Sequence, residues 1–357
     1  MKTAITLFSI FMCLTILIQV SDAQEEKSNY HKWWEDGYWR KPKENPQAKS
    51  LPLIKVSGNC FTNASGDTVF FRGLSISDPD KLENQGLWNK NHFENVKNMG
   101  AKIVRIPIHP VAWRERTPEK YLELLDQAVS WCTELKMYVI LDWHSIGNLR
   151  MELFQQPMYD TSQKETFQFW RTIAGHFRGH NTVAFYELFN EPTVFRGLLG
   201  NMSWREWKEI VEDIIRLVRA YDRETIPLVA GFDWAYDLNN LHYDPVNADD
   251  IAYVTHPYAK KRSRPWEPKW EENFGFAANK YPVFATEIGF RLLEDKAVGK
   301  DDYGQRIVRY LEGRGISWCA WVYDAEWYPR MLKSFDDYEL TGYGKFIKKT
   351  LHEKIKK

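Results

Sequence analysis

Between residues 68 and 321 the chain repeats one pattern eight times, a short apolar β-type run followed by a connection that is mostly amphipathic and helical. The runs are Thr68–Gly73, Lys102–Ile108, Met137–Asp142, Val183–Phe189, Ile226–Ala230, Ile251–Thr255, Pro282–Ala285 and Ile316–Trp321. Between them, Tyr121-Leu122-Leu125-Ala128-Val129-Cys132 and Trp207-Ile210-Ile214-Ile215-Leu217-Val218 follow the spacing of a one-faced helix. Strands this apolar are buried on both faces, as in a parallel sheet covered by helices. Eight such units predict an α/β fold of the (β/α)8 TIM-barrel type. A doubly wound open sheet is the alternative; it usually needs fewer strands, and no G-x-G-x-x-G follows the first strand to seat a nucleotide. Ile54-Lys55-Val56 and Cys60-Phe61, separated by Gly58-Asn59, predict a short N-terminal hairpin ahead of the barrel.

The first fifty residues differ in character. Residues 1–23 read as a secretory signal peptide, with Lys2, the apolar run Ala4 to Val20, and Ser21-Asp22-Ala23 for cleavage. The expectation is a secreted protein, extracellular or periplasmic, with no membrane attachment once the signal is cleaved. Residues 24–50 sustain neither a helical nor a strand period and read as an aromatic, charged linker containing Trp33, Trp34 and Trp39. Residues 51–357 form the expected catalytic barrel.

Charge excludes one class of partner. The 48 basic residues balance the 48 acidic ones, whereas a nucleic-acid binder needs a basic face. Cys60, Cys132 and Cys319 show no metal-type spacing, and the nine His form no H-x-H or H-E-x-x-H pattern. No metal and no cofactor are expected, and the expected state is a monomer.

In a barrel the active site forms at the carboxyl ends of the strands. Those ends supply Arg105, Asp142-Trp143-His144, Asn190-Glu191-Pro192, His256-Pro257-Tyr258, Thr286-Glu287 and Trp321. Each residue singly has an ordinary structural explanation, such as a cap or a core ion pair; together they crowd one rim. Val104-Arg105-Ile106-Pro107, Leu188-Phe189-Asn190-Glu191-Pro192, Ala285-Thr286-Glu287-Ile288-Gly289 and Trp318 to Trp321, with the His144 and His256 motifs, make residues 51–350 resemble glycoside hydrolase family 5. The resemblance implies a retaining glycosidase with Glu191 as acid/base and Glu287 as nucleophile. It also implies that Asn190 bonds the sugar 2-hydroxyl, that His144 lines the same subsite, and that Trp321 is a stacking floor. The first strand ends without the Asn that many relatives place after Gly73, and Ile288 follows the nucleophile where an aromatic residue is common.

Physical chemistry agrees with the carry-over. Retention needs two carboxyl groups about 5–5.5 Å apart, one protonated and one ionised. Arg105 and Tyr258 are the candidates to hold Glu287 as the anion, and His256 to tune the proton of Glu191. Flat aromatic rings bury the C–H faces of sugars, which gives the 16 Trp a use. Trp88, Trp113, Trp143, Trp204, Trp234, Trp266 and Trp327 fall in strand-to-helix connections, and Trp234 and Trp266 are the favoured sugar contacts. Trp131, Trp170 and Trp207 fall in helical patterns and are assigned to the core. The expected substrate is a neutral β-linked polysaccharide, cleaved internally at β-1,4-glucosidic bonds. The alternatives are a β-1,4-mannan or a mixed-linkage or branched glucan, and, outside enzymes, a non-catalytic sugar-binding protein.

Overall fold

Eight parallel strands close into a barrel in sequence order, as the alternation predicts. The structure, a computed structural model, describes residues 51–193, 199–291 and 302–354; the signal peptide and the aromatic linker lie outside the described residues. Three short strands come first: β1 (Lys55–Ser57), β2 (Cys60–Thr62) and β3 (Thr68–Val69), paired antiparallel. The barrel strands are β4 (Arg72–Ile76), β5 (Ile103–Ile108), β6 (Tyr138–Trp143), β9 (Val183–Glu187), β11 (Ile226–Ala230), β12 (Ala252–Val254), β13 (Val283–Ile288) and β14 (Ser317–Tyr323). Closure is made where Trp318 of β14 pairs with Arg72 of β4.

The first strand is displaced from its expected position. Thr68–Val69 does not enter the barrel; it pairs with Phe61 and Thr62 as the third strand of the N-terminal sheet, and barrel pairing starts at Arg72. The tight turn after Thr62, where Asn63 Oδ1 accepts from the backbone N–H groups of Ser65 and Asp67, returns the chain to its hairpin before the barrel begins.

This small sheet closes the amino-terminal end of the barrel. Phe61 reaches in among Phe71, Phe185 and Phe284, with ring centroids 6.1, 5.0 and 6.1 Å away, and its own ring is 3% exposed. Ile54, Ile103, Ile140, Leu228 and Val254 complete the same apolar cluster. Burying an aromatic side chain of this kind contributes on the order of 2–3 kcal/mol from area alone.

Helices cover the outside. The helix Trp204–Tyr221 starts with a capping box, Ser203 with Glu206, and buries Trp207, Ile210, Val211, Ile214, Ile215 and Val218 on one face. Trp170 and Trp207 are fully buried in helices, as expected. No helix among the described residues is long and apolar enough to cross a membrane.

A second small sheet lies at the carboxyl rim. β7 (Ile146–Asn148) pairs antiparallel with β8 (Leu153–Phe154) and parallel with β10 (Glu191–Pro192). Gly147 is required there, because a Cβ would sit 2.4 Å from the carbonyl oxygen of Leu153. The backbone of Glu191 is thereby fixed by a ladder outside the barrel itself.

Candidate active site

At the carboxyl rim, strand irregularities aim the key side chains. The β13–β14 pairing slips between Ala285 and Ile288, the interval holding Thr286 and Glu287, and the β14–β4 pairing slips between Ala320 and Tyr323, which holds Trp321. Such bulges turn side chains away from the regular alternation. The hydroxyl of Tyr343 lies 3.1 and 2.8 Å from the carbonyl oxygens of Ile288 and Trp321, tying the two segments together.

Arg105 is the centre of the buried charge. Its Nε and Nη2 donate to Glu187 at 2.7 and 3.0 Å, its Nη1 to Glu287 at 2.8 Å, and its Nη2 also to Asn190 Oδ1 at 2.7 Å; Asp142 Oδ2 lies 2.9 Å from Nη2. Burial works against the guanidinium, but the three carboxylates outweigh it and hold its pKa well above the ordinary value. With its Oδ1 given to Arg105, Asn190 has its NH2 left for a sugar hydroxyl.

Glu287 is 4% exposed and accepts from Arg105 on Oε1 and from the Tyr258 hydroxyl on Oε2. Burial, joined by the charge of Glu191, leaves its pKa above the ordinary carboxylate value, although His256, Arg105 and the Tyr258 hydrogen bond pull it down. Glu191, 8% exposed, has a different environment: its Oε1 lies 2.9 Å from His256 Nδ1. Burial alone would lower the pKa of His256, but Glu287 and the hydrogen bonds to Glu187 and Glu191 outweigh it and raise the pKa to about 9. Ligand-type atoms of Glu191, His256 and Glu287 all fall within 4.8 Å of one another. The trio is the one group among the described residues compact enough to surround a cation, yet both imidazole nitrogens are already hydrogen-bonded within the protein.

His144 is held through Nδ1 by Asp142 at 2.6 Å and stacks parallel to Trp321, with centroids 5.3 Å apart. Burial, then the charges of His109, Arg105 and His256, lower its pKa well below that of free histidine, so the ring is neutral. Trp321 stays partly exposed on the rim, and Trp327 lies parallel to it at 5.9 Å.

Arg105, His144, Asn190, Glu191, His256, Tyr258, Glu287 and Trp321 therefore lie around one buried cluster, and Trp234 stands on the same rim. It occupies a left-handed turn with Asp233 and Ala235, its Nε1 donates to Gln155 at 2.8 Å, and Lys261 lies 4.6 Å over its ring.

Trp266 does not join the site. Its ring is 8% exposed, parallel to Trp270 at 6.2 Å, edge-on to Tyr303 at 4.9 Å, and covered by Arg264 and Arg306; its Nε1 donates to the carbonyl of Arg262. The residue precedes the helix Glu267–Asn273, and Trp270, four positions on, draws it onto the barrel's outer layer. Trp113 and Trp143 are likewise core, packed on Phe169 at 5.0 and 4.0 Å. Trp88 packs on Phe93 and Trp131, and Trp204 on Phe232.

Sequence reasoning missed Glu187, and it named Thr286 at a strand end and Trp327 in a connection without giving either a role. Glu187 left a signal, since it is the charged residue of an otherwise apolar strand and shares the inward parity of Phe185. Arg105 and the Thr286 hydroxyl bond it, and its pKa falls to about 2: burial opposes ionisation, and Arg105 and His256 overcome it.

Comparison with known proteins adds to this geometry. The model of the cellulase family, glycosyl hydrolase family 5, matches residues 62–326. An endoglucanase of Clostridium saccharobutylicum is 24% identical over 84% of this chain and 64% of its own length. Endoglucanase E-5 of Thermobifida fusca is 24% identical over 76% of this chain and 55% of its own. The chain thus spans about three fifths of the length of these curated relatives. Among solved structures, a beta-glucanase from Saccharophagus degradans is 42% identical, covering 89% of this chain and 98% of that one, with a TM-score of 0.84. A second structure of that beta-glucanase, in complex with cellotetraose, matches to the same extent.

Proposed function

Because the chain belongs to the cellulase family, glycosyl hydrolase family 5, we propose that it is a retaining β-glucanase that cuts internal β-1,4-glucosidic bonds of a neutral glucan. One observation carries the reading: oxygens of Glu191 and Glu287 approach within 4.8 Å, with Glu287 held by Arg105 and Tyr258 and Glu191 facing His256. That approach suits the short separation of retaining pairs and falls below the roughly 6.5–9.5 Å of inverting ones.

In the first step the Glu287 carboxylate attacks the anomeric carbon as the bond to the leaving oxygen breaks, and Glu191 gives its proton to that oxygen. Esterification removes the charge of Glu287, which favours ionised Glu191 when a base is needed. In the second step water attacks the anomeric carbon, Glu191 takes its proton, and Glu287 leaves as carboxylate. Arg105 and Tyr258 hold the nucleophile, and the NH2 of Asn190 is positioned to bond the 2-hydroxyl as the transition state forms. Trp321, beside His144, supplies an aromatic face for the sugar, and Trp234 a further one along the rim.

The substrate reading draws support from the relatives, which are named endoglucanases and a beta-glucanase, the latter solved with cellotetraose. Reducing-end release across carboxymethylcellulose, barley β-glucan, xyloglucan and mannan tests it. Activity on the glucans is the expected result, and activity on mannan alone overturns it. The run Ala4 to Val20 supports export; a mature amino terminus just after Ala23 is the expected observation.

A further inference from the structure

The imidazole of His256 is bonded on both sides, and the bond away from the rim decides what the other can do. Its Nε2 lies 2.9 Å from Thr286 Oγ1, and Thr286 Oγ1 lies 2.9 Å from Glu187 Oε1. All three side chains are buried at 0% exposure. Glu187 is bound by Arg105 through two nitrogens, and an ionised carboxylate only accepts hydrogen bonds. A threonine hydroxyl has one hydrogen. Once that hydrogen is given to Glu187, the oxygen can only accept, so Nε2 of His256 must carry a proton. The direction of the chain is set: Nε2–H to Thr286, and the Thr286 hydroxyl to Glu187.

Nδ1 is therefore the nitrogen left to exchange a proton, and it faces Glu191 at 2.9 Å. We propose that Thr286, anchored by Glu187, is a positioning residue that locks the Nε2–H of His256 and dedicates Nδ1 to the carboxyl of Glu191. As imidazolium, His256 donates from Nδ1 to the carboxylate that Glu191 becomes when it protonates the leaving group. As neutral imidazole, it accepts a proton at that same atom. The inference rests on the reading of Glu191 as acid/base and adds the element that keeps its partner in one tautomer.

The three carboxyl groups nearest the ring favour its protonated form. Glu191 faces Nδ1 from β10, Glu187 lies 3.4 Å from Nε2 on β9, and Glu287 lies 3.9 Å from Nδ1 on β13. Arg105 on β5 stands behind Glu187 and Glu287, and Asp142 on β6 contributes a further carboxyl. His144 is neutral, and Lys261 interacts electrostatically with Glu191. Thr286 is the one uncharged group in the relay, so replacing it alters the hydrogen bonding without altering the charge.

The test compares Thr286→Val and Thr286→Ser in the full chain, reading the His256 ring titration by NMR alongside kcat, KM and the pH–rate profile on barley β-glucan. In Thr286→Val the Nε2–H loses the hydroxyl at 2.9 Å and keeps only the longer, 3.4 Å approach to Glu187 Oε1, so the imidazolium is expected to titrate lower by about one unit or more. The expected kinetic result is kcat about tenfold lower, KM within about twofold, and a displaced alkaline limb. Thr286→Ser restores all of these. An unmoved His256 titration in Thr286→Val, or a Ser variant that fails to restore it, overturns the proposal. If the Val variant does not fold, Glu187→Gln probes the same relay: its amide can donate to Thr286 and reverse the hydroxyl, and an unmoved titration there overturns the proposal equally. Should the wild-type protein hydrolyse no β-glycan, the functional reading fails while the titration still decides the relay.

Discussion

The hydroxyl of Tyr258 donates to Oε2 of Glu287 at 2.5 Å, on the opposite carboxylate oxygen from the one held by Arg105. This hydrogen bond lowers the pKa of Glu287 against the upward push of burial. Its loss in Tyr258→Phe must raise that pKa, and the nucleophile acts only when ionised. The acid limb of the kcat/KM profile is expected to move to higher pH by about one unit. An acid limb unchanged from wild type would show that Tyr258 does not tune the nucleophile.

Removing the two carboxyl groups should give different defects. Glu287→Ala is expected to abolish turnover while cellotetraose binding survives. Glu191→Ala keeps the nucleophile, so azide should partly restore cleavage of substrates with good leaving groups and give a β-glycosyl azide. An α-linked azide product identified by NMR would mean inversion, and the role given to Glu287 would fall.

Glu187 should set part of the pH dependence of stability. Its pKa is depressed from 4.5 to about 2 in the folded protein. A depressed carboxylate stabilises the fold above its unfolded pKa, and that contribution is lost as pH falls through the folded value. The stability difference between wild type and Glu187→Gln, up to about 3 kcal/mol, should therefore be full above about pH 4.5 and narrow on the way to about pH 2. Denaturant unfolding at several pH values measures it; a gap independent of pH contradicts the linkage.

Trp234 and Trp266 were expected to act alike, and the structure separates them. Trp234→Ala should raise KM for glucan oligosaccharides by about tenfold with little change in melting temperature. Trp266→Ala should do the reverse, losing about 3 kcal/mol or more of stability at near-normal KM. Parallel kinetics and thermal melts decide; a Trp266 variant defective in binding alone would restore the original expectation.

Phe61 offers a control far from the chemistry. Phe61→Ala removes the ring that fills the amino-terminal mouth of the barrel and is expected to cost about 3–5 kcal/mol. The kcat of the folded fraction should stay close to wild type, as judged by titrating active sites with a slow covalent substrate.

The barrel and its carboxyl rim were legible because both follow from local patterning. Apolar runs of strand length alternate with helical spacing, and most of the runs close on residues that carry guanidinium, amide, imidazole, carboxyl or indole groups. What escaped depends on contacts between distant segments. Thr68–Val69 has strand character either way, and only its pairing with Phe61 and Thr62 shows that it belongs to the plug. Trp266 and Trp234 look equivalent in sequence, since both follow a strand in a polar loop. They differ because Trp270 and Tyr303 give one ring a packing surface, whereas a left-handed turn sets the other on the rim. Glu187 and Thr286 are plain strand residues until the closed barrel brings them to His256.

The three-stranded plug also bears on proton traffic. Phe61 and its apolar neighbours block the lower mouth, and Arg105, Glu187, Thr286 and His256 above them are sealed from solvent. Any proton that this group exchanges with water must then pass by way of the side chains at the cleft, Glu191 and Glu287 with the partly exposed Tyr258. A glucan chain lying across that opening would close the exit. Each catalytic cycle would then hand one proton to the leaving group and take one from water, and the cluster would come to equilibrium with the medium only between substrates.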